Sequence, residues 1–244
     1  MPATASTVTE TRRPLIIGHR GARGAPENTL AALRLALEQG ADGVEVDVRA
    51  TADGIPVLMH DAAVDHTTDG RGTVASLTLA ELKRLDAGGG EQVPTLTEAL
   101  ALVQGSRGRP RGLSLLILVE IKPPGIEEAA VAAIRQAGMA EWVIAGSFLR
   151  EVVVRVRQLA PEIACALIAA EEPRPLLIWA QATGLWGLAM EHSFIDAQAV
   201  AEARRLGLTI AAWTVDEPEE ARRLRNIGVA AIITNEPGLV RAAF

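Results

Sequence analysis

Gly43-Val44-Glu45-Val46-Asp47-Val48-Arg49 is strand-sized and begins just after a glycine-terminated helical segment. Side chains alternate along a strand, so Glu45 and Asp47 project to the same side. Working outward, short apolar runs recur between longer segments of helical periodicity. Leu15–Gly18 lies before this stretch. Leu115–Ile121, Val143–Gly146, Ile163–Ile168, Trp186–Ala189, Thr209–Trp213 and Ala231–Thr234 follow it. This is the pattern of repeated βα units, and eight strands fit one closed parallel barrel. The expected class is α/β, a (β/α)8 barrel of the TIM type.

The segments between the strands carry their own punctuation. Thr29 to Gln39 and Ile126 to Ala137 read as amphipathic helices stopped by Gly40 and Gly138. Thr95 with Glu98, and Thr78 with Glu81, have the spacing of capping boxes. The period breaks once, after His60, and residues of about 61–93 read as a small insertion following the second strand. Before it, Asp53-Gly54 is a hairpin dipeptide that should fold Ile55–Met59 back beside Gly43–Arg49. Gly105–Gly112 reads as a solvated loop. Residues 1–13 are expected to form a disordered tail, leaving 14–244 as a single domain.

The chain has 244 residues, close to the roughly 250 of an eight-unit barrel. With 49% hydrophobic residues, 3% aromatic and no tyrosine, its core must be built from Ala, Val, Leu and Ile. A formal charge of −6 argues against a nucleic-acid partner. The single cysteine, Cys165, falls in an apolar run and reads as a buried thiol. The N-terminal segment lacks the apolar stretch of a secretory signal, and no run approaches the length of a membrane span, so the expectation is a cytoplasmic protein.

The chemistry-bearing residues gather at strand ends. Glu45 and Asp47 share one face of a strand, and Glu120 and Lys122 share one face of another. Charged groups facing a barrel interior are costly unless paired or bound to a metal, and the C-terminal mouth is where barrels put their chemistry. Glu45, Asp47 and Glu120 are therefore candidate ligands of a divalent cation. An all-oxygen set favours Mg²⁺ or Ca²⁺ over zinc. The competing structural reading has the same carboxylates ion-paired with Arg20, Arg49 and Lys122. His19 and His60 also lie at strand ends, and two imidazoles can divide the acid and base roles that displacement at phosphorus demands. Arg20 and Lys122 would supply positive charge to the phosphate oxygens.

Gly18-His19-Arg20-Gly21, followed by Pro26-Glu27-Asn28-Thr29, resembles the opening signature of the glycerophosphodiester phosphodiesterase family. Glu45-Val46-Asp47-Val48, Pro56-Val57-Leu58-Met59-His60-Asp61 and Val119-Glu120-Ile121-Lys122-Pro123 resemble its later motifs in order. Ser147-Phe148, Trp213-Thr214-Val215-Asp216 and Ile233-Thr234-Asn235 resemble further landmarks, and the likeness runs from about Pro14 to Arg241.

The resemblance implies a TIM barrel with a small insertion and the metal-dependent hydrolysis of glycerophosphodiesters, such as glycerophosphocholine or glycerophosphoethanolamine, to glycerol 3-phosphate and an alcohol. His19 and His60 would be the acid–base pair, Glu45, Asp47 and Glu120 the metal ligands, and Arg20, Lys122 and Glu27 substrate contacts. Trp213 would wall the glycerol, or simply pack. Asn28 also reads as a helix cap. His66 departs from the family pattern, where arginine is usual, and is expected to concern the insertion rather than the reacting centre. His192 near another strand end reads as a surface residue. Two alternatives remain: a phosphodiesterase of lysophospholipids on the same barrel, or a non-catalytic barrel that binds metal or phosphate. The sequence leaves the oligomeric state open.

Overall fold

The computed structural model describes residues 13–106 and 116–244. The expected loop over Gly105–Gly112 and the expected tail therefore lie mostly outside the described residues. Arg13, counted with that tail, instead ion-pairs with Asp42, its Nη2 2.9 Å from Oδ1.

Eight parallel strands close into a barrel: β1 (Leu15–Gly18), β2 (Gly43–Ala50), β4 (Leu116–Ile121), β5 (Val143–Ser147), β6 (Ala164–Ala169), β7 (Gly187–Glu191), β8 (Thr209–Trp213) and β9 (Ala231–Thr234). The ring closes through β1, which pairs with both β2 and β9. β3 (Pro56–Leu58) lies outside the ring, antiparallel to β2 with Val48 opposite Leu58, which is the hairpin that Asp53-Gly54 implied. The expected helices form as α1 (Leu30–Glu38), capped by the Thr29 side chain, and α4 (Glu127–Gln136). Both capping boxes are made, at the start of α2 (Leu79–Leu82) and of α3 (Leu96–Gly105). The remaining units are completed by α5 (Arg150–Leu159), α6 (Pro173–Thr183), α7 (Ala197–Arg205), α8 (Pro218–Ile227) and α9 (Pro237–Ala242). No helix among the described residues is long and apolar enough to cross a membrane.

The period of two divides the strands between two cores. Val44, Val46 and Val48 of β2, with Ile117, Val119 and Ile121 of β4, face the helices. Ile17, Leu118, Ile144, Ile168, Ala189, Ala211 and Ile233 fill the barrel itself. Many inward positions are alanine, and no tyrosine is needed to fill so narrow an interior. Along the same inward-facing rows, towards the strands' C-terminal ends, the apolar side chains give way to Glu45, Asp47 and Glu120. The insertion has its own small core of Val57, Met59, Val64, Val74, Leu82, Ala87 and Val93. Cys165 is buried against the helical layer.

The turn after β1 requires glycine at position 21. Gly21 has a φ of +101°, and a Cβ there would lie 2.4 Å from the Ala32 carbonyl carbon in α1. Gly54 also has a positive φ, +80°, but a Cβ there would meet nothing within 4 Å. Gly21→Ala should therefore cost at least about 2 kcal/mol, combining backbone strain with overpacking, and Gly54→Ala about 1 kcal/mol. Urea denaturation of the two variants checks the order, and equal losses would refute this account of the turn.

Candidate active site and metal centre

The site is assembled from strand ends at the barrel mouth. Asp47 of β2 lies directly opposite Glu120 of β4 in the parallel register, two residues beyond the Glu45 to Leu118 pairing. Ligand atoms of Glu45, Asp47 and Glu120 all come within 4.8 Å of one another, and all three residues are buried. Lys122 follows β4, and its Nζ lies 2.9 Å from Asp47 Oδ1 and 2.7 Å from Glu120 Oε1. Arg20 follows β1, with Nε 3.0 Å from Asp47 Oδ2 and Nη1 3.1 Å from Glu27. Arg20 adopts a positive φ of 54°, and its backbone N–H donates to Glu45 Oε2 at 3.0 Å. A non-glycine residue in that region is uncommon, and such positions gather where a site over-determines the backbone.

The electrostatics follow from the count of charges. Three buried carboxylates face two cations, an excess of one negative charge. Burial raises the Glu45 pKa well above the usual carboxylate range, and repulsion from Asp47 and Glu120 adds to it. Glu120 is pushed up to about 6, by burial first and Asp47 second, with Lys122 opposing. Burial acts the same way on Asp47, but Lys122, Arg20 and a hydrogen bond from Asn28 outweigh it and hold that group below its ordinary value. Despite burial, Asp47 and Glu120 hold the Lys122 ammonium above its own.

A hard divalent cation fits this donor set. The ligands are all oxygens, they converge, and they carry uncompensated charge. Asp47 Oδ1 is buried and faces the Lys122 ammonium at 2.9 Å, a contact that a cation-binding carboxylate can share. The ion-pair reading and the metal reading thus coexist for Arg20 and Lys122. Arg49 is not part of the pairing: its Nε donates to the His60 carbonyl at 2.9 Å.

Each candidate histidine is anchored through Nδ1. His19 Nδ1 lies 2.9 Å from Asn235 Oδ1. Asn235 Nδ2 donates to Asp216 Oδ2 at 2.8 Å, which leaves Oδ1 as the acceptor and makes Nδ1 of His19 the protonated nitrogen. Asp216 is fixed in turn by the Asn235 N–H, the Thr234 hydroxyl and Arg23. His19 is pulled below the ordinary imidazole range, by burial first and by the adjacent Arg20 second. His60 Nδ1 lies 2.8 Å from Asp61 Oδ1.

Several of these partners were not assigned roles from sequence. Asn28 is not the helix cap. Thr29 has that role, while buried Asn28, at φ +57°, donates Nδ2 to Asp47 Oδ2 at 2.8 Å and accepts from the Asp47 N–H. Asp61 and Asn235 stood within the quoted motifs, but only the fold shows which ring each holds. Glu27 is brought to Arg20, half exposed at the rim. Trp213 donates Nε1–H to the Ala189 carbonyl at 2.9 Å, and its ring meets Phe148 edge-on at 5.7 Å. Both rings close one side of the mouth. His66, as expected, contacts the insertion, with Nδ1 2.9 Å from Asp61 Oδ2, but the residue it contacts there is the one that holds His60. His192 pairs with Glu220 away from these groups.

Comparison with known proteins finds relatives over nearly the whole chain. The sequence profile of the glycerophosphoryl diester phosphodiesterase family matches residues 19–239. A glycerophosphodiester phosphodiesterase of Caldanaerobacter subterraneus is 37% identical, the match covering 92% of this chain and 95% of that protein. Among solved structures, an Oleispira antarctica phosphodiesterase in complex with the product sn-glycerol-3-phosphate superposes with a TM-score of 0.83 at 34% identity, over 95% of this chain and 96% of the other. A glycerophosphodiester phosphodiesterase of Agrobacterium tumefaciens gives 0.81 at 31% identity, over 94% and 99%. With the barrel, the insertion and the acidic trio in register with the motifs, the chain belongs to the glycerophosphoryl diester phosphodiesterase family.

Proposed function

We propose that this protein hydrolyses small glycerophosphodiesters, of the glycerophosphocholine or glycerophosphoethanolamine type, to glycerol 3-phosphate and an alcohol. The observation that carries the reading is the pair of histidines, each tied at Nδ1, flanking a buried cation-seeking carboxylate trio. The product bound in the Oleispira relative supports the same substrate class.

In this scheme a hydroxyl, of water or of the glycerol itself, attacks phosphorus, and the bond to the alcohol oxygen breaks. His19 has its proton on Nδ1 and is biased towards the neutral form, so Nε2 accepts the proton of the attacking hydroxyl. His60, protonated on Nε2 as well as on the Nδ1 that faces Asp61, gives its Nε2 proton to the departing oxygen and is left as the neutral Nδ1–H ring. Arg20 and Lys122 bind the phosphate oxygens, Glu27 orients Arg20, and Trp213 with Phe148 forms an apolar wall for the glycerol carbons. A Mg²⁺ or Ca²⁺ ion held by Glu45, Asp47 and Glu120 would supply further positive charge to the phosphate.

One feature favours a second reading. Phe148 and Phe194 are exposed on the loops after β5 and β7, and could accept the acyl chain of a lysophospholipid. The substrate assay must therefore include lysophosphatidylcholine.

Purified protein should release glycerol phosphate from glycerophosphocholine or glycerophosphoethanolamine with Mg²⁺ or Ca²⁺, and chelator should abolish release. Activity on lysophosphatidylcholine alone would transfer the assignment to the second reading, and no release from any substrate would leave a binding barrel. His19→Ala and His60→Ala should each lower kcat by about 10² to 10⁴-fold with circular dichroism unchanged. Wild-type rates in both would end the acid–base assignment.

Metal affinity should fall with acidity. Glu45 and Glu120, both raised, must be deprotonated to act as ligands, so protons compete with the cation as pH falls through about 6. Calorimetric titration should show binding at least about fourfold weaker at pH 5.5 than at pH 7.5. An unchanged affinity, or an unchanged one in Glu45→Ala at pH 7.5, would count against this ligand set.

A further inference from the structure

Asp61 is shared between two imidazoles. Its Oδ1 lies 2.8 Å from His60 Nδ1 and its Oδ2 2.9 Å from His66 Nδ1, so each carboxylate oxygen is held by a different ring. Without His66, this half-exposed side chain would be tied on one side only, by the adjacent residue in sequence. A carboxylate free to turn about its own bonds fixes an imidazole poorly, because the hydrogen bond follows whichever ring orientation is cheapest. Two donors on opposite oxygens remove that freedom.

The turn that presents His66 is itself pinned. The N–H groups of Thr67 and Thr68 and the Thr68 hydroxyl all donate to the Val64 carbonyl, and Val64 is fully buried in the insertion core. The Thr67 hydroxyl lies 3.0 Å from Met59 Sδ, and the Met59 N–H donates to the Asp47 carbonyl in β2. His66 thus stands on a platform fixed to the barrel strand that carries a candidate metal ligand. Its own side chain is 80% exposed, so it adds little to packing. The hydrogen bonds from His66 and then His60 also hold the Asp61 carboxyl below its ordinary range, so it is ionised and accepts from both rings.

We propose that His66 is a positioning residue for His60, acting through Asp61: it locks the carboxylate that keeps the His60 proton on Nδ1 and leaves Nε2 to exchange protons with the substrate. The kinetic consequence rests on the function proposed above, whereas the geometric one does not.

The test uses the full chain with His66→Ala, His66→Gln and Asp61→Asn, read in two ways. Long-range proton–nitrogen NMR reports the His60 tautomer without any turnover. At a pH where the ring is neutral, the Nδ1–H form should dominate in the wild type and give way to a tautomer mixture in His66→Ala, with partial recovery in His66→Gln, whose amide can still donate. In glycerophosphodiester hydrolysis, His66→Ala should lower kcat about three- to tenfold, the scale of one ordinary hydrogen bond, with KM within about twofold. Asp61→Asn should abolish the further effect of His66→Ala. An unchanged His60 tautomer in His66→Ala would overturn the proposal. So would a loss confined to KM, or one that persists in the Asp61→Asn background, because either would mean that His66 acts on substrate directly. If the wild type releases no product, the proposed function fails, and the spectra alone still decide the link.

Discussion

Three carboxylates buried within a few ångströms of one another set the terms for the rest of this mouth. Each ion loses several kcal/mol of hydration on burial, and each like-charged neighbour at about 4 Å adds roughly 4 kcal/mol at an effective dielectric of 20. Glu45, Asp47 and Glu120 face that cost together, and the surrounding residues are arranged to offset it. Arg20 and Lys122 converge on Asp47, and Asn28 grips it through both amide atoms. The Arg20 N–H is turned onto Glu45. The compensation is uneven, which is why Asp47 is held ionised while its neighbours are driven towards the protonated form.

The backbone between β1 and α1 can be understood as a consequence. Aiming both the N–H and the guanidinium of Arg20 at carboxylates on β2 puts Arg20 at φ +54°, and Gly21 follows in a conformation that only glycine adopts cheaply. Asn28, also at positive φ, sends its N–H back to the Arg20 carbonyl, so the loop closes on itself above Asp47. Asparagine tolerates that region better than most residues. Thr29 then starts the helix. The residues that the loop spends on chemistry are therefore distinct from the one that caps α1.

The two histidines differ in what stands behind them. His19 is backed by a neutral amide, itself held by Asp216, and is buried beside a cation. His60 is backed by a carboxylate on the insertion side of the mouth. The first arrangement suits a ring that receives a proton, and the second offers a compensating charge. Because Asp61 also binds His66, the insertion is coupled to one half of this pair, while the β8 and β9 loops govern the other.

Much of this was legible along the chain because it depends on local periods. Alternation every second residue marked the strands and put Glu45 and Asp47 on one side of β2, and capping boxes and Asp53-Gly54 marked the helix starts and the hairpin to β3. These features need only neighbouring residues, and the ordered motifs carried the family likeness from end to end. What the sequence did not reveal was pairing at long range. Asn235 lies 216 residues from His19, and Asn28 lies 19 residues from Asp47. A polar residue at a loop position has the same local signature whether it caps a helix, faces solvent or orients a buried acid. Ring closure decides between these, because only the joining of β1 to both β2 and β9 brings the first and last strand ends to one mouth.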